Sequence, residues 1–493
     1  MGRWLLVAGL CLSLAGCDSV ERVKQVFHRD GDASQESQAA AGQPAEAASS
    51  VAPEAKAGDT AQAPAPSGQA PKDAASGKQG PAQKSGADGT TVLENTSAAT
   101  ADSQLPVTVM QNVNRALPAD CPLRTLWALP IPNITITKSW MAPRDMGYDM
   151  LLLLSSELDI IAIEASSGRT LWWKKLDGEM LGEPVFSKYA IYLIVNSHLL
   201  CLENTGGHVM WRVDIGFPAA GPFTVSEDKK GSPRFAIASA TRVIYGLDIV
   251  TVTWPPKHGA GSITQKDFSM DTQRPRTLWR FPTDSLVQGQ MQVQESFVYA
   301  TDLNGVIYAI NGSVVQLGKA ASAWKQYCQA GNFAGVLTSG TFVVIGSRDR
   351  NVYCFSRNEQ GRAIWRYTTG HVVQKTPVFV TDRWTNRTVV GVECQEGPFI
   401  AINDVSGSLA WLHPEGGMAV GLDEEADRPL DERTSVIIAE PDGAIASVRF
   451  KDGSLVWRIP AGMFRMVTDS HLGVGMYGVL ASNGALVNLG RKK

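Results

Sequence analysis

The sequence has 493 residues, enough for about three domains at ~150 residues each, although β-propellers and barrels run longer as single units. Lys+Arg 45 against Asp+Glu 48 gives a formal charge of -3, without the basic excess of a nucleic-acid binder, so nucleic acid is not an expected partner. A hydrophobic fraction of 44%, 13 Trp and 47 Gly exclude a globally disordered chain and describe a large core punctuated by turns.

In chain order, Arg3 precedes an apolar run from Trp4 to Leu14 that is too short to span a bilayer and has the length of a signal-peptide core. The run ends in Leu14-Ala15-Gly16-Cys17, which resembles a bacterial lipobox. That resemblance implies a lipoprotein signal peptide over residues 1–16 and lipidation of Cys17, whose acyl chains would hold the protein on a membrane. Asp18 resembles the inner-membrane retention signal of enteric lipoproteins.

Between residues 28 and 91 the only large apolar residue is Val51, amid Ala, Gly, Pro, Ser and Gln. Such a segment cannot offset its ordering entropy by burial. Residues 17–115 therefore read as a lipidated Cys followed by a disordered tether, with a reach of roughly 50 Å as a flexible coil.

An internal repeat follows. Ala162, Gly168 and Trp172 are spaced as a small residue, five positions, Gly, three positions, Trp. Cys201-Gly207-Trp211, Ala401-Gly407-Trp411 and Ser447-Gly453-Trp457 keep that spacing, and Cys354-Gly361-Trp365 has one extra residue. Alignment on the Trp gives Trp127, Trp172, Trp211, Trp279, Trp324, Trp365, Trp411 and Trp457, hence eight units. Short β-branched and aromatic runs, such as Val306-Ile307-Tyr308-Ala309-Ile310, alternate with turns, leaving room for four strands of ~5–6 residues per unit. The expected fold is an all-β, eight-bladed propeller of four-stranded blades over residues 120–490. The last unit has no following Trp, and pairing of the strand around Trp127 with the C-terminal strands would close the ring and remove open edges. The eight Trp are read as blade packing.

Two segments stand out from the repeat. The 68-residue interval between Trp211 and Trp279 holds an insertion at residues 250–274 with Trp254-Pro255-Pro256, a candidate partner-binding loop. Asp423, Glu424 and Glu425, with Asp427, Asp431 and Glu432, form an acidic stretch that is either a second candidate contact or a solvated loop, without EF-hand spacing.

The units resemble the pyrroloquinoline-quinone-type propeller repeat. With a lipid anchor, the chain resembles the BamB-type lipoproteins of the outer-membrane β-barrel assembly machinery. That resemblance implies a non-enzymatic scaffold at the periplasmic face of the outer membrane, contacting an envelope protein complex and unfolded barrel clients, whereas Asp18 leaves the inner membrane and another envelope complex open. The repeat family also implies the alternative of a quinoprotein dehydrogenase or other ligand-binding propeller. Its alcohol dehydrogenases carry adjacent cysteines over the cofactor, and no adjacent Cys pair, C-x-x-C or C-x-x-C-H occurs here. His28, His198, His208, His258, His371, His413 and His471 show no metal-ligand spacing, and no G-x-S-x-G is present. No catalytic residue, metal, cofactor or small-molecule substrate is expected. Cys201 and Cys354 occupy a slot held by Ala in other units and read as small hydrophobes, while Cys121, Cys328 and Cys394 leave a disulfide open.

Overall fold

The computed structural model of the protein describes residues 90–91, 105–131, 134–143, 147–227, 233–253, 271–332, 334–466, 468–469, 476–481 and 485–491. The signal peptide, Cys17, Asp18, most of the tether, Trp254 and the turn at 483–484 lie outside the described residues. The described chain is an all-β, propeller-like fold built from four-stranded antiparallel meanders.

The first meander runs from Ile136–Met141 to Thr170–Lys175, the second from Met180–Phe186 to Val209–Asp214. Two further meanders, beginning at Ala219–Glu227 and Gln292–Gln294, are joined into one eight-stranded sheet by a single parallel pairing, Arg280 with Lys319. Three four-stranded sheets follow, with outer strands Ala363–Thr368, Leu409–His413 and Leu455–Ile459. The last sheet joins the two ends of the fold: Leu123–Pro130 pairs antiparallel with Ala485–Arg491, beside Met476–Ala481 and Phe464–Met466.

Inner strands such as Met150–Ser155 and Ala190–Val195 are buried at every position. Sheets stacked on both faces cannot use an apolar/polar alternation, so these strands read as continuous hydrophobic runs. Outer strands regain alternation, as in Thr170–Lys175. Among the described residues eight apolar cores each bridge two consecutive meanders, the last two joining the closing sheet to its neighbours on either side.

The expected tether over residues 17–115 is corrected in two places. Thr90–Thr91 pairs with Trp173 and Lys174 on the edge of the first sheet, a contact made through the backbone and therefore without an apolar signature. Leu105–Ala116 is a helix, and Val113 and Leu117 are buried against the closing sheet while Val109 and Met110 pack beside them. Apolar residues one helical turn apart give it a face to bury. The insertion at residues 250–274 is also corrected: its flanks are strand, because Val243–Thr253 pairs with Asp271–Pro282 out to Thr253 opposite Asp271.

Candidate functional site

The repeated Trp has one local geometry throughout. Directly opposite it in the neighbouring strand stands a small residue: Ala162 faces Trp172, Cys201 faces Trp211, Gly246 faces Trp279, Ala309 faces Trp324, Cys354 faces Trp365, Ala401 faces Trp411 and Ser447 faces Trp457. In the closing sheet the opposite residue is Asn488, across from Trp127. A register shift accompanies every pairing, which fits a β-bulge re-aiming the indole. Each Trp falls in a different apolar core; seven are buried and Trp211 is partly so.

The indole also locks onto the next meander. Trp127 Nε1 donates to the carbonyl of Ala165 (2.8 Å), Trp172 to Asn204 (2.9 Å), Trp365 to Asp404 (2.9 Å) and Trp411 to Phe450 (2.7 Å). Each acceptor stands three residues before a turn Gly: Gly168, Gly207, Gly407 or Gly453. A Cβ on Gly168 or Gly207 would lie 2.5 Å from the ring of the preceding Trp, so the turn and the indole occupy one interlocked space.

Trp324 keeps the turn as well, a Cβ on Gly361 lying 2.6 Å from its ring, whereas the three remaining positions lose the turn, and they hold the candidate sites. Trp211 precedes the hairpin that extends to Thr253 and Asp271. Trp279 precedes the hairpin Val306–Gln316 to Lys319–Tyr327, whose turn is displaced to Leu317-Gly318; a Cβ on Gly318 would meet nothing within 4 Å. Without the usual turn over Trp279, a cleft of about 720 Å³ opens between Phe235, Leu278 and Trp279 on one side and Val293, Val298 and Gly312 on the other. Arg234, Glu295 and four hydroxyl residues, Thr224, Ser226, Ser296 and Ser313, also line it. The displaced hairpin presents Val314 (44% exposed), Val315 (40%) and Leu317 (102%). Trp254, the sequence-derived candidate, follows Thr253 directly and is outside the described residues.

The third departure involves the first part of the acidic stretch: Asp423 and Glu424 end a strand and, with Glu425, meet cations of the same chain, whereas Asp427 and Asp431 are exposed in the loop that follows. The closing sheet has no hairpin turn opposite Trp457, because its two outermost strands come from opposite ends of the fold. Trp457 Nε1 instead bonds Asp423 Oδ2 (3.2 Å), a buried carboxylate in the strand Met418–Glu424. Arg491 clamps Asp423 from the closing sheet at 2.6 and 3.1 Å and reaches Glu425 at 2.9 Å. Glu424 pairs with Arg383, and Glu425 also takes Arg428. Despite burial, the Arg428 hydrogen bond and nearby guanidinium charges hold Glu425 below the usual carboxylate range. These carboxylates are neutralised inside the molecule.

The five described cysteines are buried and unbridged. Burial pushes the thiols of Cys201, Cys328 and Cys354 up to about 12 and that of Cys394 up to about 11, so a nucleophilic thiolate is suppressed. The fold brings His413, Glu415 and Glu440 together, a grouping that no sequence spacing announces. Glu440 lies 27 residues from His413 in sequence.

Solved structures with the same fold include BamB from Moraxella catarrhalis, 13% identical over 75% of this chain and 99% of that one, with a TM-score of 0.50. The computationally designed Ika8 protein matches at 13% identity, 75% and 99% coverage and a TM-score of 0.51. Sqt1 of Saccharomyces cerevisiae matches at 9% identity, 74% and 98% coverage and 0.50. No curated protein matches the sequence. The family model described as outer membrane protein assembly factor BamB matches residues 124–249 and 311–488. The unmatched interval between them contains the end of the first extended hairpin and Leu278, Trp279, Val293, Glu295, Ser296 and Val298 of the cleft, whereas the tip of the second hairpin lies within the matched residues. With more than half of its length matched, and with the repeat geometry beneath that match, the chain belongs to the BamB family of propeller proteins.

Proposed function

We propose that this chain is a non-enzymatic, lipid-anchored scaffold of the bacterial envelope that assists outer-membrane β-barrel assembly through protein–protein contacts. In this reading the meanders form eight blades, the eight-stranded sheet counting as two, and Cys17 carries the lipid on the periplasmic face of a membrane. Family membership favours the outer membrane, and Asp18 keeps an inner-membrane complex as the competing assignment.

The observation that carries the docking assignment is the pair of neighbouring extended hairpins, where, among the described residues, two successive Trp locks lose their turn. Core repeats conserve that lock for packing reasons, whereas a rim that abandons it and exposes Val314, Val315 and Leu317 beside a cleft provides the apolar centre that interfaces use. Strand edges on these hairpins also offer backbone groups for β-augmentation by an extended client segment.

The test is crosslinking in cells followed by co-purification, comparing the wild type with Leu317→Asp. Leu317 is fully exposed, so melting should be unchanged while recovery of a barrel-assembly subunit falls at least about tenfold, equivalent to ~1.4 kcal/mol. Recovery of a different envelope complex would sink the barrel-assembly assignment and keep the scaffold. Unchanged recovery by Leu317→Asp would move the interface elsewhere.

A further inference from the structure

At the strand ends opposite the extended hairpins, two consecutive sheets meet through a compact set of metal-capable groups. His413 closes the outer strand Leu409–His413, Glu415 follows it in the connection, and Glu440 stands in the turn between Thr434–Ala439 and Ile445–Arg449 of the next sheet. His413 Nε2 is 2.9 Å from Glu440 Oε1 and 3.5 Å from Glu415 Oε2, and the three donor atoms lie within 4.8 Å of one another. His413 and Glu440 are buried, whereas the Glu415 side chain is 47% exposed and lies on the solvent side of the group.

We propose that His413, Glu415 and Glu440 form a divalent-metal site of the class that takes Zn²⁺, stapling the sheet ending at His413 to the one that follows. A neutral imidazole carries at most one proton at Nε2 and makes one good hydrogen bond with it, so it cannot serve both carboxylate oxygens. A metal ion in place of that proton serves all three atoms. Tetrahedral zinc bonds of about 2.0–2.2 Å place neighbouring ligand atoms roughly 3.3–3.6 Å apart, which the Glu415 separation already meets and the 2.9 Å hydrogen bond to Glu440 would reach by opening about 0.4 Å.

The surroundings supply the rest of such a site. Arg458 holds the other oxygen of Glu440, fixing the carboxylate with Oε1 toward His413, as outer-shell partners do for metal ligands. Three carboxylates, those of Glu415, Glu440 and Asp442, gather at this end of the two sheets, and the Arg458 guanidinium pairs with Glu440 and Asp442. One imidazole nitrogen and two carboxylate oxygens, with a fourth position open to water, suit zinc. Mg²⁺ and Ca²⁺ prefer larger all-oxygen shells. The site is independent of the docking face proposed above.

The experiment is titration of the full chain, stripped with chelator, with ZnCl₂ by calorimetry, and with CoCl₂ followed by visible absorption. The expected result is one tight Zn²⁺ per chain, a rise in melting temperature and Co²⁺ ligand-field bands, with no shift from Mg²⁺ or Ca²⁺. Glu415→Gln removes a ligand from the exposed side and should melt like the wild type in chelator while losing at least about tenfold in Zn²⁺ affinity, the loss that even an outer-shell change brings. Absence of Zn²⁺ binding and of Co²⁺ bands in the wild type, or equal affinity in Glu415→Gln, overturns the proposal.

Discussion

Gly407 and Trp365 show how one residue pair can hold two sheets together. Gly407 has φ +69°, and a Cβ there would stand 2.5 Å from Trp365 Cγ, so alanine meets both an unfavourable backbone region and an occupied space. Gly407→Ala should cost about 2 kcal/mol or more from backbone strain and ring displacement together. Trp365→Ala should cost roughly 3–5 kcal/mol by opening a cavity between sheets. The two changes act on one contact, so their sum should exceed the loss in the double variant. Urea denaturation of the three variants checks this, and strict additivity would show that the Gly and the indole are not coupled. The same scale explains the small residue across from each Trp: Ala401, Cys354 and Ser447 leave room for the ring, and Cys fits there because it behaves as a small hydrophobe.

The helix Leu105–Ala116 and the strand Leu123–Pro130 complete the closing sheet from the N-terminal side. Asn114 Oδ1 accepts from the Thr125 backbone N–H at 2.8 Å, and Val113, Leu117, Cys121 and Leu123 share a core with Trp457 and Val487. This helix lies beside the sheet whose strands Ala485–Arg491 and Leu123–Pro130 are not joined by a hairpin turn. Deleting residues 105–117 should lower stability by at least about 3 kcal/mol through lost burial of Val113 and Leu117. Deleting residues 120–130 removes an entire strand and exposes the edge at Ala485–Arg491, so that protein should aggregate or lose its cooperative melt. Deleting residues 30–89 removes a segment poor in large apolar side chains and should leave melting unchanged. Circular dichroism melts of the three truncations check the order, and equal melting of all three would show that the N-terminal strand does not close the fold. Val109, Met110, Val113 and Leu117 carry the helical spacing in the sequence, whereas the low-apolar run before them has the composition of a tether.

At the scale of the whole molecule, closure rests on the pairing of Leu123–Pro130 with Ala485–Arg491 and on contacts of that sheet with its neighbour. Arg491 reaches across 68 positions of sequence to Asp423, which is buried and also takes the indole N–H of Trp457. Arg491→Gln leaves that carboxylate without its cation and should cost roughly 3–5 kcal/mol, whereas replacing an exposed pair such as Arg169–Glu164 should change stability by about 1 kcal/mol or less. Guanidinium-free urea melts of Arg491→Gln and Arg169→Gln make the comparison, and similar midpoints would mean that Asp423 finds another partner or water.

The sequence by itself determined the repeat, the meander within it and the pairing of the first strand with the last, because the Trp, the Gly and the small residue opposite them are set by local strand and turn geometry that recurs at fixed spacing. Membership of the BamB family rests on the same residues. What only the tertiary structure decided involves groups far apart in the chain. Asp423, Glu424 and Glu425 look like a solvent-facing acidic run until Arg491, Arg383 and Arg428 are brought to them. His413 and Glu440 have no motif spacing until two sheets stack. The cleft at Trp279 exists because the next hairpin turns late, and whether a turn covers a ring in the neighbouring sheet depends on packing between sheets, which no spacing within one of them records.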